Sequence, residues 1–290
     1  MLTIATRASL LQKPLGFFTI KSTMFIESTY IYTGGKAFDA AKPSVIMLHG
    51  AQNDHSVWAL QSRWLANHGF NVIAPDQPAH SLSKGAPLES IESMAQWALE
   101  LLDGLNIHAA HWVGHSMGSL IALHAAGSAP TRVLSLAMLG TAYPMPVGAA
   151  LLDAAKNNPE LAYEMITAWS HRASIGAYIS ANPGSNHAGL SVRLMQRVAA
   201  RSADKVLLTD FTACNAYAAG LAQAVLFKTQ SKVNVLVMNG ANDAMTPPKA
   251  TASIAAALQA KTVTLPDCGH ALMIEQPDAV LNALRVHLQV

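Results

Sequence analysis

Charge is scarce in this chain. Of its 290 residues 12% are Asp, Glu, Lys or Arg, and 19 basic against 17 acidic side chains leave a formal charge of +2. No run of Lys or Arg forms the dense cationic stripe that phosphate neutralisation needs, which argues against nucleic acid as a partner. Cysteine is also rare. Cys214 and Cys268 cannot build a disulfide framework, and no CxxC pair suggests a structural zinc, so both are read as reduced and structural. No tract is depleted in apolar residues, no internal repeat is present, and 51% of the chain is hydrophobic. Disorder and charged tails are excluded, and the length suits one large domain, or one domain carrying an insertion. The expectation is a soluble, cytoplasmic globular protein.

So much apolar sequence raises the question of a membrane span. Residues 133–152 carry no formal charge, about the 20 positions that cross a bilayer. Gly140, Pro144, Pro146 and Gly148 would break a continuous helix there, so the stretch reads as a buried strand, 133–139, and a turn. Residues 1–24 differ in character. Arg7, Lys13 and Lys21 are basic, Glu27 is the first acid, and Pro14 and Gly16 interrupt the apolar run a secretory signal needs. A transit peptide, a start assigned upstream of Met24, and an ordinary flexible terminus all fit that composition.

From residue 25 onward, short β-branched runs alternate with longer helical patterns. Residues 25–32 are strand-like, and the further strand candidates are 44–48, 71–74, 110–113, 133–139, 233–238 and 262–265. Residues 56–67 place Val57, Leu60 and Trp64 at helical spacing. Ile91, Met94, Ala95, Ala98, Leu101 and Leu102 repeat that spacing before Gly104. Strands separated by helices need crossover connections, and those predict a mostly parallel α/β sheet with helices on both faces. The alternation breaks once. Residues 144–222 read as helical, with Tyr163, Met165, Ile166, Trp169, Leu194, Met195 and Val198 as apolar positions and a turn-rich stretch at 180–187. A helical insertion between two strands reads as a cap over the end of the sheet, where ligands of open α/β folds bind; packing on a sheet face is the alternative.

Gly114-His115-Ser116-Met117-Gly118 follows an apolar strand and precedes a helix at 119–126. A serine on so tight a strand-to-helix turn needs small neighbours, and the turn projects its hydroxyl clear of the sheet. The helix N-terminus also favours developing negative charge. A serine hydroxyl is a poor nucleophile near neutral pH, so it needs a base, and the base needs an orienting partner.

In these residues the chain resembles an α/β-hydrolase, a fold with an eight-stranded, mostly parallel sheet. The resemblance covers most of the chain from about residue 25 and implies a core of 25–143 and 223–290, a helical cap of 144–222, and a leader of 1–24. It implies Ser116 as nucleophile and His270 as base. His270 lies in Cys268-Gly269-His270-Ala271, after the last strand, followed by Leu272-Met273-Ile274-Glu275-Gln276-Pro277. The acid maps to Asp243, in the G-x-x-D-x-x-x-P loop from Gly240 to Pro247. No carboxylate follows Leu139 where some relatives keep the acid, and Asp267 reads as a solvated loop neighbour. Asp204 and Asp210 read as surface or capping residues, and His115 as packing rather than catalytic. His49-Gly50-Ala51-Gln52 stands at the H-G-x position, so the amides of Ala51 and Met117 are the implied oxyanion hole, with His49 holding the loop. The segment Asp76-Gln77-Pro78-Ala79-His80-Ser81-Leu82-Ser83 is similar to the family's D-x-P-G-x-G-x-S, with Ala79 and Ser81 replacing both glycines.

The implied chemistry is hydrolysis through an acyl-enzyme, which needs neither cofactor nor metal. A serine nucleophile argues against the relatives that use a carboxylate there, haloalkane dehalogenases and epoxide hydrolases. The apolar, aromatic insertion, with Tyr163, Trp169 and Tyr178 and few cations, suits a small uncharged substrate better than a polyanion, unless those residues are only the cap's own core. Pocket residues are expected among His49, Gln52, Tyr143, Trp169 and Met245. The segments 210–215 and 243–247 resemble the small carboxylesterase branch, which includes pimeloyl-thioester methyl esterase. The readings left open are a carboxylic ester or thioester hydrolase, a C–C bond hydrolase of dienoic diketones, an acyl-transfer or perhydrolysis enzyme, and a non-catalytic binder on the same fold.

Overall fold

The computed structural model describes residues 23–171, 186–202 and 205–289, and the backbone alone of 173–174 and 177–178. The leader up to residue 22, the turn-rich 180–185, Asp204 and the side chain of Tyr178 lie outside the described residues.

In chain order the strands of the main sheet begin with Thr23–Ile26 (β1), Thr29–Tyr32 (β2), Ser44–Leu48 (β3), Asn71–Pro75 (β4), Ala110–His115 (β5) and Val133–Leu139 (β6). A two-residue hairpin, Ala173–Ser174 (β7) and Ala177–Tyr178 (β8), stands apart, and Val235–Gly240 (β9) and Lys261–Leu265 (β10) complete the sheet. Its order is β1-β2-β4-β3-β5-β6-β9-β10. From β4 to β10 every neighbour is parallel, while β2 meets both β1 and β4 antiparallel. All five residues of β3 and of β4 are buried, as strands covered on both faces must be. The single strand-like segment expected at 25–32 is instead a hairpin that turns at Glu27, whose φ is 51°.

The helices are Ala59–Asn67 (α1), Ile91–Gly104 (α2), Met117–Ser128 (α3), Ala149–Asn157 (α4), Pro159–Ser170 (α5), His187–Arg201 (α6), Val206–Ala216 (α7), Gly220–Gln230 (α8), Ala252–Ala257 (α9), Leu272–Glu275 (α10) and Pro277–Leu288 (α11). On α2 all six apolar positions read from the spacing are buried, and Ser90 caps the helix by accepting from the Ser93 amide. For α1 the expected face is corrected. The helix buries Gln61, Ser62, Leu65 and Ala66, and Gln61 Nε2 donates to the Met273 carbonyl at 3.3 Å. Leu60 is 54% exposed at the wall of a cavity, which Val57 also lines, while Val57 and Trp64 are partly buried against the core.

The cap consists of α4 to α7 and the hairpin, which the helical reading of 144–222 did not anticipate. Leu151, Ala154, Tyr163, Met195, Leu207 and Phe211 form its own apolar cluster, with Ala51 and Met245 of the core packed against it. The helix α8 returns to the core and lies on α3, where Gly127 leaves room for Gln223: a Cβ there would stand 2.8 Å from the Gln223 Cβ. Among the described residues no helix is long and apolar enough to cross a membrane.

Candidate active site

The chain passes from β5 into α3 through Ser116, whose φ of 53° and ψ of −121° lie where L residues rarely settle. Glycine on either side makes this possible. A Cβ on Gly118 would stand 2.3 Å from the Leu48 carbonyl oxygen, and one on Gly114 would stand 2.2 Å from the Gly118 carbonyl oxygen. The Ser116 amide donates to the Leu139 carbonyl at 2.9 Å, and Ser119 Oγ reaches the Ser116 carbonyl at 2.5 Å. The Ser116 side chain is half-buried and lines the cavity under the cap.

The loops after β9 and β10 bring an acid to an imidazole. Asp243 Oδ2 lies 2.8 Å from His270 Nδ1, across 27 residues of sequence. The other carboxylate oxygen accepts the amides of Met245 and Thr246 at 2.8 and 2.7 Å, and the Thr246 hydroxyl adds a bond of 2.7 Å to Oδ2. Burial alone would push the Asp243 carboxyl up, but the His270 charge and these hydrogen bonds outweigh it and hold it below the usual range. The loops touch through main chain, since a Cβ on Gly240 would stand 2.1 Å from the Gly269 carbonyl oxygen. From the cap, the Ser170 carbonyl accepts the His270 amide at 2.7 Å. Glu275 accepts the amides of Gly269 and Ala271 at 3.0 and 3.2 Å.

His270 lines the same cavity as Ser116. Among the described residues no hydrogen bond joins the two; such pairs commonly close when substrate binds. His115 donates from Nε2 to the His270 carbonyl at 2.8 Å. Burial first, and the neighbouring His270 second, lower the His115 imidazole to about 3, so it stands neutral as a brace.

The amides of Ala51 and Met117 have no acceptor among the described residues, and Ala51 lines the cavity beside Ser116. His49 is fully buried; its Nε2 accepts the Gln77 amide at 3.1 Å, and its Nδ1 lies 2.9 Å from the Gly50 carbonyl. Burial, then the nearby His80, lower this imidazole to about 4. Ala79 and Ser81, at the two replaced glycines, have φ of 64° and 47°, so the loop keeps a glycine-like path with side chains on it.

Four of the five pocket assignments are corrected. His49 lies behind the loop; Gln52 is buried, with Nε2 donating to Tyr163 Oη at 3.3 Å and to the Met195 carbonyl at 3.1 Å. Tyr143 donates its hydroxyl to the Ala218 carbonyl, away from the cavity, and Trp169 is 40% exposed at the surface. Met245 does line the cavity. So do Val57, Leu60, Ile166, Leu194 and Phe211, which enclose about 590 Å³. Asp210 is neither a surface nor a capping residue. It is fully buried on α7, 2.9 Å from His80 Nε2 and 2.9 Å from the Gln52 amide. The only sequence signal was an acid inside an otherwise apolar helical run.

Two of the insertion's few cations reach the cavity. The helix α6 turns Arg193 and Arg197 to the cavity wall. Arg197 is committed to Asp54 Oδ2 at 2.8 Å, whereas Arg193 has no hydrogen-bond or ion-pair partner among the described residues. Asp54, His55 and Asp76 are close enough to share a metal ion, but protein donors already fill them: Ser56, Ser81 and Arg197 bond Asp54, and His55 Nδ1 stands 2.7 Å from Asp76. Cys214 and Cys268 are free and buried, and burial raises both thiols.

Comparison with known proteins agrees with this architecture. Residues 43–277 match the family model for the alpha/beta hydrolase fold. A pimeloyl-[acyl-carrier protein] methyl ester esterase of Methylococcus capsulatus is 35% identical over 114 residues, which are 38% of this chain and 39% of that protein. A dihydrolipoyllysine-residue acetyltransferase component of the acetoin cleaving system of Pseudomonas putida is 37% identical over 99 residues, 34% of this chain and 26% of that protein. The matches thus span about a quarter to two fifths of these relatives. The enol-lactonase from Burkholderia xenovorans LB400 superposes with a TM-score of 0.75 at 21% identity, covering 95% of this chain and all of that one. An esterase from Exiguobacterium antarcticum gives 0.75 at 15% identity, covering 93% of this chain and all of that one. At such identities the likeness is one of fold.

Proposed function

This chain belongs to the alpha/beta hydrolase fold family, and from that premise we propose that it is a serine hydrolase cleaving a carboxylic ester or thioester of a small, largely apolar acid. The observation that carries the reading is the Asp243–His270 pair, 2.8 Å apart, with His270 and the strained Ser116 lining the same cavity.

In this reading Ser116 Oγ attacks the substrate carbonyl while His270 takes its proton. Asp243 holds the Nδ1–H and stabilises the imidazolium that forms. The amides of Ala51 and Met117 receive the oxygen as it becomes negative, in a pocket where water competes poorly. The bond to the leaving group breaks, the leaving group takes the proton from His270, and a water activated by the same imidazole frees the acid from Ser116.

The wall narrows the substrate class. Apolar side chains dominate it, and no Asp or Glu lines it among the described residues, while Arg193 offers an uncommitted guanidinium. An acyl chain ending in a carboxylate fits such a wall, because a charge-assisted pair is among the stronger hydrogen bonds. The esterase of Methylococcus capsulatus, by its name, acts on the methyl ester of a pimeloyl group.

Labelling with a fluorophosphonate probe tests the catalyst. Wild type is expected to label stoichiometrically and Ser116→Ala not at all. A series of p-nitrophenyl esters run beside a ring-fission diketone tests the bond cleaved. Absence of labelling, or turnover of the diketone alone, overturns the proposal.

A further inference from the structure

Apart from the three side chains that would carry the reaction, a buried acid–imidazole pair joins the cap to the core. Asp210 comes from α7 of the cap, His80 from the loop after β4, and the Gln52 amide from the loop after β3. They lie 130 and 158 residues from Asp210 in sequence and meet at a single oxygen, Oδ2, at 2.9 Å each. Both side chains are sealed from solvent.

His80 Nδ1 lies 3.0 Å from the Pro78 carbonyl, which only accepts, so Nδ1 carries hydrogen. Nε2 faces Asp210 Oδ2, the oxygen that also accepts the Gln52 amide. His49, with ring centroids 5.0 Å apart, and the carboxylate of Asp76 face this ring, while Asp54 and Arg201 both reach the neighbouring Ser81 hydroxyl, at 3.0 and 3.2 Å. Burial opposes the charged ring, but Asp210 overcomes it and raises the His80 pKa.

Gln52 is held in the cap twice: its amide ends on Asp210, and its side chain ends on Tyr163 and Met195. Its φ is 54°, a conformation an L residue keeps only when its surroundings enforce it. The preceding residue is Ala51, whose amide, like that of Met117, has no acceptor among the described residues.

We infer that Asp210 is a positioning residue for the oxyanion hole, holding the loop after β3 from above so that the Ala51 amide stays aimed at the developing negative oxygen. The inference rests on the serine-hydrolase reading. It predicts that catalysis, more than binding, suffers when the carboxylate is removed, because the misplaced amide matters most in the transition state.

The decisive comparison is an aryl ester against its thionoester, whose sulfur is a weak hydrogen-bond acceptor. For Asp210→Ala we expect kcat on the ester to fall by about 10- to 100-fold, with KM within about threefold. The ester-to-thionoester ratio of kcat should drop by the same factor as the ester kcat. Should that variant not fold, Asp210→Leu with His80→Phe replaces the acid–imidazole pair by apolar bulk, an exchange that buried ion pairs often tolerate, and the same ratio is read. An unchanged ratio in the folded variant overturns the inference even where kcat has fallen, since a merely loosened protein would lose both substrates equally. Wild type that fails to label with the fluorophosphonate would instead sink the underlying serine reading, so the two failures are distinguishable.

Discussion

The two sides of this site are held in place differently. On the acid–base side, Asp243 is bonded by amides two and three residues away and by the Thr246 hydroxyl, and Glu275 grips the loop that carries His270. The cap adds the Ser170 carbonyl, which accepts the His270 amide, and His171, whose Nδ1 lies 3.8 Å from Glu275. On the oxyanion side, the loop after β3 depends on Asp210, Tyr163 and Met195, all supplied by the cap and all more than a hundred residues away. In the proposed reading the acid–base side is held largely by its own loops, while the loop after β3 takes three of its hydrogen bonds from the cap.

That contrast can be broken most severely at the acid. Asp243→Asn should lower kcat on an activated ester by about 10⁴-fold, through the wrong imidazole tautomer. Stopped-flow acylation would read it, and a loss below a hundredfold would mean that the acid is not held as described. Asp210→Ala, at about 10- to 100-fold, should rank second. Next comes the wall: Arg193→Ala should raise KM about tenfold for a monoester of a dicarboxylic acid. The matching neutral diester should be unaffected, and equal shifts for both would remove Arg193 from recognition. Redundancy on the acid side predicts a smaller effect for Thr246→Val, about two- to fivefold in kcat, because the two amides still bind Asp243. A loss comparable to that of Asp243→Asn would erase the claimed asymmetry.

The subtlest test is pH. The carboxyl of Asp243 is lowered by folding, so its stabilisation is present above the unfolded carboxylate value and is lost as pH falls through the folded one. The imidazole of His80 is raised, so its stabilisation is full below the unfolded value, near about 6.5, and is lost as pH rises through the folded value. His49 beside it, held at about 4, stays neutral over that window. Melting curves should therefore show the advantage of wild type over the Asp210→Leu, His80→Phe protein shrinking toward alkaline pH. An advantage that grows with pH would contradict the upward shift of His80.

The same asymmetry explains what the sequence revealed. Strands β3, β4, β5 and β6 were legible because burial on both faces writes a continuous apolar run. Ser116, Asp243 and His270 were legible because each sits in a short motif at a strand end, with glycines at 114, 118 and 240 where close backbone approach forbids a side chain. Long-range hydrogen bonding leaves no such mark. Gln52 looked like a pocket residue and Asp210 like a surface one because an isolated polar side chain does not announce a partner 158 positions away. The face of α1 was misread for a related reason. Its buried Gln61 is satisfied by a carbonyl 212 residues on, so polarity did not mean exposure. The orientation of Arg193 follows from how α6 crosses the cavity, which spacing within one helix does not specify.

The contact at Gly240 carries a practical corollary. Because main chain meets main chain there, the separation of carboxylate and imidazole is built into the sheet edge and travels with it. An engineer who grafts a foreign lid onto this scaffold should find the Asp243–His270 pair intact on arrival, and should expect to rebuild the supports of the loop after β3 by hand.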